Sequence, residues 1–189
     1  MRIIYLLFFI SNLSFSQAKL IKDIDFDGIR DTIYIDGENL KVVSSLSTQN
    51  FKKVYSEEIE SLDGQVSLKS FFNGFKLNID LMRAGYSCQF RYNKLEKKIQ
   101  LIGMSRYEFG PANNDGSGES SVNLLTGNYI GNWNYYDVKK EELIKIHSVK
   151  TKMIFPQTFL ENFSEKIVSD YSENCANLFN KRKKQLLRQ

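Results

Sequence analysis

Apolar and polar side chains alternate with a period of two through the middle of the chain. Val66, Leu68, Ser70 and Phe72 lead into Asn73-Gly74, and Phe75, Leu77, Ile79 and Leu81 lead away from it. Asn-Gly suits a two-residue type I′ turn. That turn pairs Phe72 with Phe75, Leu68 with Ile79 and Val66 with Leu81 on one apolar face, interrupted only by Ser70 opposite Leu77. Lys69, Lys76, Asn78 and Asp80 fall on the other side, which predicts an antiparallel sheet buried on one face. The same alternation predicts strands through Tyr86, Cys88, Phe90 and Tyr92, over 98–107, over 121–125 and over 129–136, with one or two more in 143–155. Upstream, 33–36 and 40–45 form a hairpin through Gly37-Glu38-Asn39, followed by an extended stretch over 51–59.

After Pro156 the period lengthens. Phe159, Phe163, Ile167, Tyr171, Cys175 and Leu178 or Phe179 recur every three or four residues, predicting an amphipathic helix over 157–187, with a break near 169–172. The fold class is therefore mainly β (α+β): an antiparallel meander with a C-terminal helix packed on it. Pro111 and Pro156 are the only prolines, and no Ser/Gly-rich linker divides the chain, so 17–189 reads as a single β-rich domain.

The first residues follow neither pattern. Met1-Arg2 precedes the apolar run 3–10, then small and polar residues to Ala18, which are the three parts of a secretory signal peptide. Cleavage fits after Ser16 or after Ala18. A membrane anchor needs about 20 apolar residues, and Ser11 and Asn12 interrupt too early. No later stretch is long enough for a span. The expectation is an exported protein of the periplasm or the extracellular space.

Export changes how the two cysteines read. In an oxidising compartment Cys88 and Cys175 are expected to form a disulfide that pins the helix to the sheet. Removing residues 1–16 takes Arg2 and no acid, lowering the net charge from +4 to +3. That is no nucleic-acid signature. The basic run Lys181-Arg182-Lys183-Lys184 sits where cations suit a helix C-terminus.

One segment has residue types and spacing that point to a single chemistry. Asp23, Asp25, Asp27, Gly28 and Asp31 spell D-x-D-x-D-G-x-x-D. Carboxylates at positions 1, 3 and 5 turn inward together, position 7 (Ile29) offers its backbone carbonyl, and glycine at 6 permits the sharp turn, which is a calcium loop. Asp31 at position 9 is the expected closing carboxylate. An EF-hand closes with Glu at position 12 and enters a helix, whereas position 12 here is Tyr34 within Thr32-Ile33-Tyr34-Ile35, a strand sequence.

Over residues 22–36 the stretch resembles the calcium loops of the FG-GAP and VCBS repeats of integrin-like β-propellers, which run from loop into strand. A full propeller would repeat the loop in every blade, and it occurs once. Signal peptide, single loop and β domain together look like exported bacterial proteins related to FG-GAP repeats, some of which inhibit cell-wall-degrading enzymes. The resemblance implies a calcium-stabilised, non-catalytic binding module of the cell envelope, with a lytic enzyme or a glycan as partner.

Other chemistry is thinner. Asp115 and Glu119, in the glycine-containing loop 110–119, are the carboxyl pair a secreted glycan hydrolase would use. A purely structural envelope protein is the third reading. Trp133 lies in the aromatic, Asn-rich stretch 129–136 and suits stacking on a sugar as well as it suits a core. Ser-His-Asp catalysis would depend on His147, the only histidine, and no G-x-S-x-G elbow is present. One histidine and two cysteines do not fill a zinc site.

Overall fold

The computed structural model describes residues 18–188, so the signal-peptide segment 1–16 lies outside the described residues. Among these residues twelve strands form two antiparallel sheets, and one long helix follows them. The smaller sheet has the order β1-β2-β3-β4, with β1 Lys19–Lys22, β2 Asp31–Asp36, β3 Lys41–Ser45 and β4 Lys53–Tyr55. The larger is a meander: β5 Gln65–Phe71, β6 Gly74–Asp80, β7 Ala84–Asn93, β8 Lys98–Glu108, β9 Gly118–Asn123 and β10 Asn128–Asp137. The far edge of β10 is shared end to end by β12 Val149–Lys152, which pairs with its first half, and β11 Glu142–Lys145, which pairs with its second. The sheets close into neither a barrel nor a propeller. The mainly β, antiparallel class read from the alternation is the one observed.

The alternation decides the faces. Leu77, Cys88, Met104, Val122 and Tyr129 form one cross-strand row pointing inward on five adjacent strands. Phe75 stacks on Phe90 with centroids 5.0 Å apart, and Phe163 meets Phe90 edge-on at 5.1 Å. Ile33, Ile35 and Val42 of the small sheet join the same buried cluster. Burying one such side chain contributes roughly 1.5–3 kcal/mol, so this shared core is what holds the sheets and the helix together.

The β5–β6 hairpin keeps the expected face but not the expected partners. Val66 pairs with Ile79, Leu68 with Leu77 and Ser70 with Phe75, a shift of two residues. An even shift preserves which side each residue faces. Phe72 moves into the turn and is exposed, and none of residues 72–74 has the positive φ that a type I′ turn demands. Gly74 is used differently: it enters β6 opposite Arg91, and a Cβ there would collide with the Phe90 carbonyl of β7. The glycine supplies closeness between strands, not a turn.

The helix, α1 Glu165–Leu186, is continuous through 169–172 and starts eight residues later than its periodicity predicts. β9 pairs β8 only from Gly103 onward, leaving the earlier edge of β8 open. Thr158 and Phe159 fill that edge: Leu101 N–H donates to the Thr158 carbonyl, and Phe159 bridges Gln100. Unpaired buried backbone costs more than helix periodicity returns, so 157–164 stays extended with a single 3-10 turn, Leu160–Asn162. Val168, Tyr171 and Cys175 form the buried stripe of α1. The stretch expected to be extended over 51–59 is a strand only at β4, and β1 was not anticipated. No helix among the described residues is long and apolar enough to cross a membrane.

Candidate metal centre

The acidic loop joins β1 to β2, and its conformation is set by its own side chains. Asp23 accepts the N–H of Phe26 on Oδ1 (2.7 Å) and of Gly28 on Oδ2 (3.0 Å), folding the loop back on itself. Phe26 and Gly28 both take the left-handed conformation, at φ 67° and 87°, the sharp turn that glycine at position 6 was expected to permit. Asp27 Oδ1 accepts the Ile29 N–H at 2.7 Å.

The loop brings one oxygen from each of Asp23, Asp25 and Asp27 within 4.8 Å of the others. Two further residues arrive from the 3-10 turn Ser47–Gln49, which follows β3. Ser47 Oγ donates to Asp27 Oδ2 at 2.7 Å, and Thr48 Oγ1 donates to Asp25 Oδ2 at 2.5 Å. The Ser47 hydroxyl, then the Ile29 N–H, holds the Asp27 carboxyl below its ordinary value and keeps it ionised. The spacing of the aspartates gave no sign of Ser47 and Thr48, which only the β2–β3 hairpin places here.

Asp25 is the informative member. It is 5 % exposed, and its Oδ1 is buried with no hydrogen-bond partner. A buried carboxylate oxygen without a donor or cation is costly, and two like charges at this separation repel by about 1 kcal/mol even with the screening of bulk water. No lysine or arginine among the described residues forms an ion pair with the three aspartates. The adjacent Lys22 is committed elsewhere, donating to the carbonyls of Phe71, Phe72 and Gly74 at the tip of the β5–β6 hairpin. An all-oxygen, uncompensated acidic set is the donor chemistry of a hard cation.

Asp31, expected to close the site, lies outside the converging three. It is fully buried, with Oδ2 accepting the N–H groups of Ile24 (2.7 Å) and Asp25 (3.3 Å) and Oδ1 accepting that of Ser47 (2.8 Å). It ties both arms of the site together through their backbones. Ile29 stands at the exposed rim.

The second loop behaves differently. Asp115 Oδ2 pairs with Lys183 of α1 at 2.6 Å while its Oδ1 accepts the Tyr136 N–H at 2.7 Å. Trp133 is buried, its indole N–H donating to Tyr129 Oη at 3.2 Å, and Arg106 lies between the Trp133 and Tyr86 rings, 5.7 and 5.8 Å from their centroids. Trp133 is thus a core residue and not an exposed platform. Glu119 opposes Asn132, one step from the Gly118–Trp133 pair, and projects from the outer face of the sheet. Asp115 and Glu119 therefore lie on opposite sides of the sheet, without the common substrate space that a carboxyl pair needs.

The expected disulfide is absent: Cys88 and Cys175 are both free and buried. Cys88 feels the charge of Glu165 at the start of α1, and burial first, then that charge, pushes its thiol up to about 12. Cys175 contacts Ser120 Oγ at 3.4 Å, ten residues further along the helix. Ten helical residues span about 15 Å, whereas a disulfide needs Cα atoms roughly 4.4–6.8 Å apart. Sharing a buried face did not bring the sulfurs to the same place.

No protein-family model, curated protein or solved structure matches the chain.

Proposed function

We propose that this chain is a calcium-stabilised, non-catalytic binding module of the cell envelope, exported to the periplasm or beyond, with an envelope protein or glycan as its partner. The observation that carries the cation is the partnerless, buried Oδ1 of Asp25 beside the carboxylates of Asp23 and Asp27. These three would hold the ion, and Ser47 and Thr48 would orient two of them. A bound ion would supply positive charge to the cluster, and Asp23, Asp25 and Asp27 would then hold the β1–β2 connection against the 3-10 turn after β3. The signal-peptide pattern at 1–16 supports the exported reading. The separation of Asp115 from Glu119 favours binding over hydrolysis.

Calorimetry with calcium and melting with and without chelator test the ion. Calcium at 100 times its Kd should add about 2.7 kcal/mol, about 5–10 °C for a chain of this size, and Asp25→Asn should abolish the gain. Indifference of the wild type to both calcium and chelator would sink the cation. Capture of a stoichiometric partner from envelope extract distinguishes a module from a purely structural protein.

A further inference from the structure

The outer face of the large sheet carries a row of small polar side chains. Ser67, Asn78, Ser87, Ser105 and Ser121 are cross-strand neighbours in register on five adjacent strands, β5 to β9. At about 4.8 Å per strand the row runs roughly 19 Å across the sheet. A solvated sheet face needs polar residues, but serine and asparagine are weak strand formers, and exposed strands ordinarily favour threonine or longer side chains. Here the short side chains leave a trough of about 490 Å³.

The trough has an unmet hydrogen-bonding capacity. Ser87 Oγ is buried and has no partner. The side chains of Ser105, Ser121 and Glu119 likewise make no hydrogen bond within the described residues. Beside the row, Tyr107 lays its ring over Gly85 of β7, where any Cβ would strike it, and its hydroxyl donates to Asp80 at 3.0 Å. Phe109 adds a second ring, 5.4 Å away and exposed. Hydroxyls and amides in a line, with a flat ring held alongside them, suit a ligand that offers hydroxyls along its length and apolar C–H faces for stacking.

Charge narrows the class. Lys69 and Arg106 line the trough together with Asp80 and Glu119, and Arg106 is already paired with Glu108, so no excess of positive charge favours a nucleic acid or a polyanionic glycan. A protein partner would call for buried aromatic or aliphatic anchors, and the floor offers serines. We propose that this trough binds a neutral glycan chain laid across the strands. The inference rests on the binding-module reading and names the partner class and the surface.

Titration calorimetry of the full chain with cellohexaose, xylohexaose and chitohexaose, and with heparin as the polyanionic control, tests it. At least one neutral hexasaccharide should bind, and more tightly than heparin. Ser105→Leu, which fills the trough, and Tyr107→Ala, which removes the ring, should each weaken it at least tenfold. A single cooperative melting transition, retained in each variant, certifies that it is folded independently of any calcium response. Neutral-glycan binding that survives both variants, or tighter heparin binding, overturns the trough. Capture of an envelope partner equally by wild type and Ser105→Leu, without hexasaccharide binding, overturns it while leaving the module reading intact. Absence of both glycan and envelope partner overturns the two together.

Discussion

Two loops in this protein are acidic, polar and glycine-containing, and the fold treats them in opposite ways. In the loop between β1 and β2, three carboxylates at alternate positions converge, and no cationic side chain among the described residues forms an ion pair with them. In the loop before β9, Asp115 is met by Lys183 from the helix, and Glu119 is turned to the far side of the sheet. The lesson is about compensation. Carboxylates become a candidate ion site when a single short turn gathers them and the tertiary structure supplies no cation. Where a helix tail carries a lysine to the carboxylate, the charge is already answered.

The sharpest way to break this contrast is at the residues that look functional and are structural. Trp133→Ala should cost about 3–5 kcal/mol, as for other large buried aromatics. It should do so without altering calcium response, as read by urea denaturation with and without the ion. A selective loss of calcium response would tie the two regions together and defeat the distinction. Asp31→Ala leaves three backbone N–H groups without their acceptor. A loss of about 3 kcal/mol or more is expected, because each buried orphan costs roughly 1–3 kcal/mol. The loss should appear in chelator as well as in calcium. If Asp31→Ala instead behaves like Asp25→Asn, losing only the calcium-dependent part, Asp31 is a ligand after all.

Smaller effects sharpen the other side. Lys183→Ala removes a pair whose side chains are 24 % and 26 % exposed. At such partly solvated pairs about 0.5–1 kcal/mol is expected, and added salt should shrink it. A double-mutant cycle with Asp115→Asn measures the coupling, and a value near zero would mean that Asp115 is held by the Tyr136 N–H alone. Smallest of all, Glu119→Gln should leave stability within about 0.5 kcal/mol of wild type, as exposed surface substitutions do.

Where the fold departs from the sequence pattern, the cause is a contact made at long range. The disulfide expected of Cys88 and Cys175 rests on an even count in an oxidising compartment, yet neither that count nor the apolar stripe that carries Cys175 reports where along the helix the residue lands. Phe159 and Phe163 continue the helical period of α1 in sequence, but the open edge of β8 recruits 158–159 into backbone pairing, which no periodicity reports. The hairpin's partners slipped by two because Gly74 is needed against β7, a strand that local turn chemistry does not see.

By itself the sequence determined the strand faces, the antiparallel meander, the presence of a terminal helix and the convergence-prone spacing of Asp23, Asp25 and Asp27. These follow from periods of two and 3.6 and from a glycine turn, all of which act within a few residues. Only the tertiary structure decided that Ser47 and Thr48 meet the aspartates, that Asp31 faces inward, that Lys183 neutralises Asp115, and that five strands bring Ser67, Asn78, Ser87, Ser105 and Ser121 into one row. Such meetings depend on register and docking between elements far apart in the chain, and side-chain pattern along a single element carries no information about either.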